Sequence, residues 1–442
     1  MTRHAALAAT LVAGAASLAS PVLASPALAA PALLAHQAPL VIDNAATAWI
    51  LTSTALVLLM TLPGLALFYG GMVRKKNIIS VIAQSAAAFA IVSVLWFLVG
   101  YSLSFGKGPD AINGFIGGVQ AAFLNGVTAQ TAHSLLPGLP ELLFVSFQMT
   151  FAIITPALIA GAFAERMKFS ASLLFFALWH LIVYAPICHQ VWGGGYLGGL
   201  GVLDFAGGAV VHVNAGIAGL VCALVLGPRH GFGRDNMAPA NLVYSAIGTG
   251  LLLVGWLGFN AGSAGAADAL AATAAFNTIL AAGAAALGWM TIEWFDRKRP
   301  TLLGLLSGVV GGLVAITPAA GFVDPKGAFF IGLIAGPACY AGAVWLKRAL
   351  KYDDTLDAFG VHGVGGIVGA LLTGVFATTT VNALSDGATV WKQAVGLGGV
   401  IVWSAAGTFV VLMICKFTTG LRVTKDEEVE GLDYTQHGEA IH

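Results

Sequence analysis

Charge is what this chain has least of. Only 9% of its 442 residues are Asp, Glu, Lys or Arg, against roughly 25% in soluble globular proteins, so an ordinary water-facing surface is excluded. The 20 basic and 20 acidic residues cancel, which argues against nucleic acid as a partner. Cysteine is scarce as well. Cys188, Cys222, Cys339 and Cys415 are scattered within or at the ends of apolar runs. They form no CxxC pair and have no metal-ligand spacing, which leaves them as buried spectators. What remains is 58% hydrophobic and holds 57 glycines, the composition of a polytopic membrane protein.

Residues 1–30 read as a secretory signal that is cleaved. Arg3 and His4 give a short polar start, an Ala/Leu/Val stretch follows, and Ala27-Leu-Ala29 is a small-x-small site. Pro21 and Pro26 disfavour a first transmembrane helix there. Beyond it, a transmembrane domain covers 40–416 and a polar tail 417–442. A bilayer core needs about 20 mostly apolar residues per helix. Eleven runs meet this: 46–72, 78–104, 139–163, 169–189, 204–227, 240–260, 268–294, 301–319, 328–350, 357–377 and 393–416. They are too long and too uniform for barrel strands.

Lys and Arg set the orientation. With the first helix running inward, 16 of them fall on the inner side and only Lys107, Lys326 and Lys392 on the outer. The positive-inside rule then gives N-out, C-in. Helices one to five and six to ten form two five-helix halves of opposite topology, with the eleventh outside the repeat. Inverted repeats of this kind place a substrate site at their interface. Dense Gly and Ala suit close helix contact in lipid. The tail, with Asp426-Glu-Glu-Val-Glu430, reads as a cytoplasmic appendage.

Three histidines lie deep in the runs. His180 sits in a bulky stretch, Phe175 to Tyr184, suited to lipid or another subunit. His212 and His362 sit among Gly and Ala, which implies tight packing in the interior and points to a path between helices. Two neutral imidazoles can share a hydrogen bond and relay a proton. Helix counting alone does not pair them. At 1.5 Å per residue His212 is about 12 Å from the outer end of its run and His362 about 7.5 Å from the inner end of its own. In a ~30 Å core those depths differ by roughly 10 Å.

Both helices follow an aspartate, Asp204 and Asp357. Asp204 reads as an N-cap, as a negative charge that draws a cation to the outer mouth, or as both. Phe151, Trp192, Trp256, Phe259 and Ser263 lie at outer helix ends or beside small polar residues. An interfacial aromatic belt accounts for most of the ten tryptophans. The alternative is a small-cation site of ring faces and a hydroxyl. An enzyme is disfavoured. Gly262-Ser263-Ala264-Gly265 misses the G-x-S-x-G spacing because residue 261 is alanine. The histidine pair also lacks a carboxylate or third ligand at helical spacing, so neither a metal nor another cofactor is called for.

Four stretches carry a family resemblance: Leu62-Pro-Gly-Leu-Ala-Leu-Phe-Tyr-Gly-Gly-Met-Val-Arg74, Asp204-Phe-Ala-Gly-Gly-Ala-Val-Val-His212, Gly258-Phe-Asn-Ala-Gly-Ser263 and Asp357-Ala-Phe-Gly-Val-His-Gly363. In this order they resemble the ammonium transporter (Amt/Mep/Rh) superfamily, the bacterial Amt branch above all. The resemblance implies eleven transmembrane helices in a homotrimer in the cell inner membrane, one pore per subunit. It implies an outer recruitment site at Phe151, Trp192 and Ser263, and a gate of Phe151 and Phe259. Below these it implies twin pore histidines His212 and His362 with Trp256, and an acidic residue, Asp204, near the mouth. The implied substrate is ammonium, taken up and conducted as ammonia, with methylammonium as an analogue. The implied inner partner is a PII-type signalling protein. The other readings are an ammonium sensor signalling through its tail and an electroneutral gas channel. His180 has no role in this scheme.

Overall fold

The computed structural model describes residues 41–441; the leader expected over 1–30 lies outside the described residues. Among the described residues ten helices are long and apolar enough to cross a bilayer: α1 Asn44–Met72, α2 Lys75–Phe105, α3 Glu141–Phe163, α4 Phe169–Gly199, α5 Gly208–Leu226, α6 Leu242–Gly262, α7 Ala269–Arg297, α9 Pro325–Leu350, α10 Phe359–Phe376 and α11 Val390–Thr418. Between them α8, Leu302–Ile316, is shorter than the run 301–319 expected for it. Its fifteen residues reach about 22 Å. Pro318, which has no N–H to continue a ladder, follows just after the C-cap Thr317. All eleven apolar runs are thus helices in the expected order. Among the described residues the only strand-like pairings are Met167 with Arg422 and Val323 with Ala377.

The helix starts obey capping chemistry. Side chains of Asp43, Asn241, Asp268, Thr301, Asp324 and Thr389 each accept a backbone N–H in the first turn that follows, satisfying amides that have no intrahelical partner. Wide π turns interrupt α1, α2, α4 and α9 and open α5 and α10. Such turns re-aim side chains within a continuing helix.

α5 is the centre of the bundle, packed on α3, α10 and α11. Its apolar window is 89% buried, against 39% for α2 and α11. At the periphery, Phe276, Ile279 and Leu287 of α7 and Phe329, Phe330 and Ile334 of α9 are exposed. His180 corrects its expected place. Its ring is fully buried rather than turned to lipid, stacked on Tyr184 at 5.6 Å and beside Trp96 at 5.9 Å.

The tail is not a free appendage. A capping box of Thr424 and Glu427 starts α12, Lys425–Glu430, and α13, Leu432–His437, follows. Val423 N donates to Arg166 O at 3.1 Å and Lys168 N to Leu421 O at 3.0 Å. His230 N donates to Glu428 Oε1 at 2.6 Å, Leu432 N to Asn77 Oδ1 at 2.9 Å and Ser80 N to Asp433 Oδ1 at 2.8 Å. The tail therefore straps together the start of α2 and the loops after α3 and α5. We call this end of the bundle the tail end.

Beneath the strap lies a buried ionic lattice. Glu165 pairs with Arg74 at 2.8 Å and Arg229 at 3.0 Å, and Arg229 also forks onto Asp353 at 2.8 and 2.9 Å. Burial pushes Glu165 and Asp353 up, but the guanidinium groups of Arg229 and its neighbours outweigh it and hold both carboxyls below their ordinary value. Asp354, next in the chain, goes the other way. Burial and the charge of Asp357 push it up to about 6.

Candidate functional site

At the end opposite the tail, a cavity of about 370 Å³ opens between α2, α3, α4, α6 and the loops around them. Phe147, Phe151, Trp192, Asp204 and Ser263 are all in its wall. Phe151 and Trp192 meet edge to face at 6.0 Å, and Phe147 stands against Phe151 at 5.0 Å. Phe147 is the residue that sequence reading passed over. It lies four residues before Phe151, hence on the same helix face, and that spacing was the available signal. The Ser263 hydroxyl donates to Phe259 O at 2.8 Å, which leaves its oxygen lone pairs free to accept.

Asp204 performs the capping it was expected to perform, and more fully than one N-cap bond. Its Oδ1 accepts from Gly207 N at 2.9 Å and Gly208 N at 2.6 Å, and its Oδ2 from Ala209 N at 2.8 Å and Val210 N at 3.0 Å. Both oxygens are committed to the start of α5, while its own carbonyl accepts the Trp192 indole N–H at 2.9 Å. One aspartate thus fixes the α5 terminus and an aromatic wall of the cavity.

Below the floor of the cavity the Phe151 and Phe259 rings lie 4.2 Å apart, both buried. Under them His212 stacks on Phe259 at 5.8 Å and on Trp256 at 5.2 Å. Trp256 is held by its N–H to Thr317 Oγ1 at 2.9 Å. His362 then stacks on His212, with Nδ1 to Nδ1 at 3.3 Å. A shared Nδ1–Nδ1 bond requires one ring to donate and the other to accept, so the neutral pair holds opposite tautomers. His212 Nε2 has no hydrogen-bond partner among the described residues. All eight residues singled out in the sequence, Phe151, Trp192, Trp256, Phe259, Ser263, His212, His362 and Asp204, therefore form one column from cavity to histidine pair.

Two expectations change here. The depth mismatch between the histidines disappears: their Nδ1 atoms lie 3.3 Å apart, because α5 and α10 begin at Gly208 and Phe359 side by side within the bundle rather than at its two opposite ends. Each histidine is then in the first turn or so of its helix, and the two helix starts cross. Glycine makes the crossing possible. A Cβ on Gly216 would lie 2.2 Å from Gly363 N, and one on Gly366 3.0 Å from Gly208 O. The aspartate matched to Asp204 also changes. Asp354, not Asp357, caps α10, accepting from Ala358 N at 3.1 Å and Phe359 N at 2.8 Å. Asp354 follows Asp204 by the same 150 residues that separate the histidines. Asp357 instead has a left-handed φ of 59° and pairs with Lys347.

The chain matches the Ammonium Transporter Family over residues 48–441. It is 49% identical over 405 residues to an ammonium transporter of Bacillus subtilis, covering 90% of this chain and 98% of that one. It is 49% identical over 410 residues to an ammonium transporter of Aquifex aeolicus, covering 91% and 94%. Among solved structures it is similar to Mep2 of Saccharomyces cerevisiae, with a TM-score of 0.81, 38% identity and coverage of 87% and 88%. It is also similar to a sensor Amt protein, with a TM-score of 0.82, 31% identity and coverage of 89% and 98%.

Proposed function

The chain belongs to the ammonium transporter family, and on that premise we propose that it takes up ammonium by stripping a proton at the cavity and passing ammonia between the histidines. The observation that carries this reading is the stacked column: an aromatic cavity, a closed phenylalanine pair, then two hydrogen-bonded imidazoles at 3.3 Å. We read the chain as a transporter rather than an enzyme, in the inner membrane, with the cavity outside and the tail in the cytoplasm.

The chemistry follows from what each layer offers. Ring faces of Phe147, Phe151 and Trp192 attract a small cation, the Ser263 oxygen accepts an N–H, and the Asp204 carboxylate adds negative potential at the cavity wall. An intact cation would face a desolvation cost with tens of kcal/mol as the idealised limit in the apolar column below. Losing one proton removes most of that cost. Potassium, of similar size, has no proton to lose and is rejected on the same ground. Phe151 and Phe259 keep water out until a neutral molecule passes, and the imidazole pair offers it one donor and one acceptor. A proton released at the cavity can follow through the histidine pair, which makes transport electrogenic.

Replacing both His212 and His362 with alanine tests the reading. Selective methylammonium uptake in vesicles is expected to fall by about a hundredfold, the loss that ~2.7 kcal/mol of barrier produces. Undiminished, still selective uptake removes the histidines from the mechanism. Ammonium-evoked current in reconstituted liposomes separates proton-coupled passage from a neutral gas channel, and no current under a gradient selects the latter. The resemblance extends to a homotrimer whose cytoplasmic face, with the strapped tail, meets a PII-type protein. Pull-down by the trimer with and without residues 417–442 tests that partner.

A further inference from the structure

The two ends of the column are built alike and charged differently. At the cavity, Asp204 has four backbone amides on its oxygens and, among the described residues, no Lys or Arg side chain is paired with it. At the tail end the cap residue Asp354 likewise takes backbone amides and, among the described residues, no ion pair, but charged pairs stand beside it: Asp353 with Arg229 and Asp357 with Lys347. Arg229 and Arg74 hold Glu165 and Asp353, and Arg166 is buried on Asp353 O at 2.6 Å. Lys347 Nζ donates to Asp354 O at 3.2 Å and to the Asp357 carboxylate.

The backbone marks the same departure from symmetry. Gly207, in the turn that starts α5, has φ 108°, and its counterpart in the α10 turn is Asp357 with φ 59°. Left-handed backbone suits glycine and carries a steric cost for other L residues. Lys347 holds a charged residue in a place where the other half of the molecule has glycine. Both side chains of the pair are partly exposed, at 21% and 29%, and Asp357 precedes His362 by five residues.

We propose that Lys347 is a specificity-determining residue of the tail-side mouth: its ammonium group, held on Asp357, cancels the negative charge there and keeps small cations from rebinding on the side where cargo leaves. The inference rests on the transport reading above. A charge at one mouth does not set the net direction of a passive path, because the ratio of rate to half-saturation must agree in both directions without a driving force. It sets how readily the path is occupied from that side.

The test uses right-side-out membrane vesicles and labelled methylammonium, with ammonium chloride added outside or preloaded inside. In the wild-type protein, preloaded ammonium is expected to inhibit entry only at concentrations at least about tenfold above those effective outside. In Lys347→Gln the internal half-inhibiting concentration is expected to fall about tenfold, the change that ~1.4 kcal/mol makes. Lys347→Arg is expected to behave as wild type, and so is Lys347→Gln/Asp357→Asn, which removes both charges. Equal sensitivity from the two sides in wild type overturns the proposal, and so does an unchanged internal value in folded Lys347→Gln. The wild-type comparison keeps the test open where Lys347→Gln does not fold. Absence of any saturable uptake in wild type would instead sink the transport reading itself.

Discussion

Asp204 and Asp354 stand 150 residues apart, each capping a helix that brings a histidine to the same point. Yet one stands in the wall of an aromatic cavity and the other between Asp353 and Asp357, which are ion-paired to Arg229 and Lys347. The backbone of the two helix starts is nearly repeated, down to the left-handed residue at 207 and 357. Only the charges and rings around it differ. On the transport reading proposed above, the path is symmetric where ammonia would pass and asymmetric where a cation would be met, at the aromatic cavity on one side and at the Lys347–Asp357 pair on the other.

The most damaging way to break that comparison is at Arg229. It holds Asp353 and Glu165 together and is nearly buried. Arg229→Ala leaves two buried carboxylates without their shared partner, a loss of about 3–5 kcal/mol. Thermal unfolding in detergent is expected to show a large fall in Tm, along with faster proteolysis of the tail, because Glu428 binds the neighbouring His230 amide. A Tm within a degree or two of wild type would mean that the lattice does not bind the loops together. The cavity end offers no equivalent target, since Asp204 relies on amides alone.

A finer test sets the two caps against each other. Asn in place of Asp204 turns one accepting oxygen into a donor and strips two amides of their partner, at ~1.5–3 kcal/mol each. Asp354→Asn strips one, and it removes a charge that the site already disfavours, so it is expected to cost less than half as much. Equal Tm losses would show that the two starts are energetically equivalent despite their different bond counts. The left-handed position gives a smaller contrast. Gly207→Ala places a Cβ 2.8 Å from Val211 Cγ2 and forces a strained φ, at ~1–2 kcal/mol. Asp357→Gly relieves a similar strain while freeing Lys347, and its Tm is expected to stay close to wild type.

Much of this was legible in the sequence. Eleven apolar runs became eleven helices because in lipid a long apolar run has few alternatives to helix. His212 and His362 were found because ionisable groups at membrane depth are costly without a use. Phe151, Trp192, Trp256, Phe259 and Ser263, which an interfacial belt could also explain, were singled out through the family resemblance. Three things were not legible. Counting from the edges of the runs misplaced the histidines, since hydropathy does not report where helix begins within an apolar run, and the four residues from Asp204 to Gly207 are loop. Asp357 was matched to Asp204 because it is the aspartate nearer to His362. A cap is defined by φ and by the amides it reaches, and those select Asp354. Phe147 was hidden by its type, a phenylalanine among apolar neighbours, until the cavity showed which face of α3 it shares with Phe151.

The smallest effect concerns protons, and it also separates the two ends. Glu165 and Asp353 are held below their ordinary value. Their contribution to stability is therefore present above about pH 4, near the unfolded value, and is lost as pH falls through the depressed folded values. Asp354 is raised to about 6, so its sign is opposite. Its contribution is full below about pH 4 and is lost as pH rises through 6. Between pH 7 and 5 the first pair stays ionised while Asp354 takes up a proton, which stabilises the folded state by about 1.4 kcal/mol for each pH unit of protonated range. Histidines titrate in the same window. Burial lowers His437 in the tail against the pull of Asp433, so it loses stability on acidification and masks part of the gain. The difference between wild type and Asp354→Asn removes that background. Wild-type Tm is expected to rise relative to the variant as pH is lowered from 7 to 5, and parallel curves would show that Asp354 is already protonated or never becomes so. Repeating the pair of curves in Lys347→Gln sharpens the result, because loss of that ammonium group raises Asp354 further and moves the divergence to higher pH.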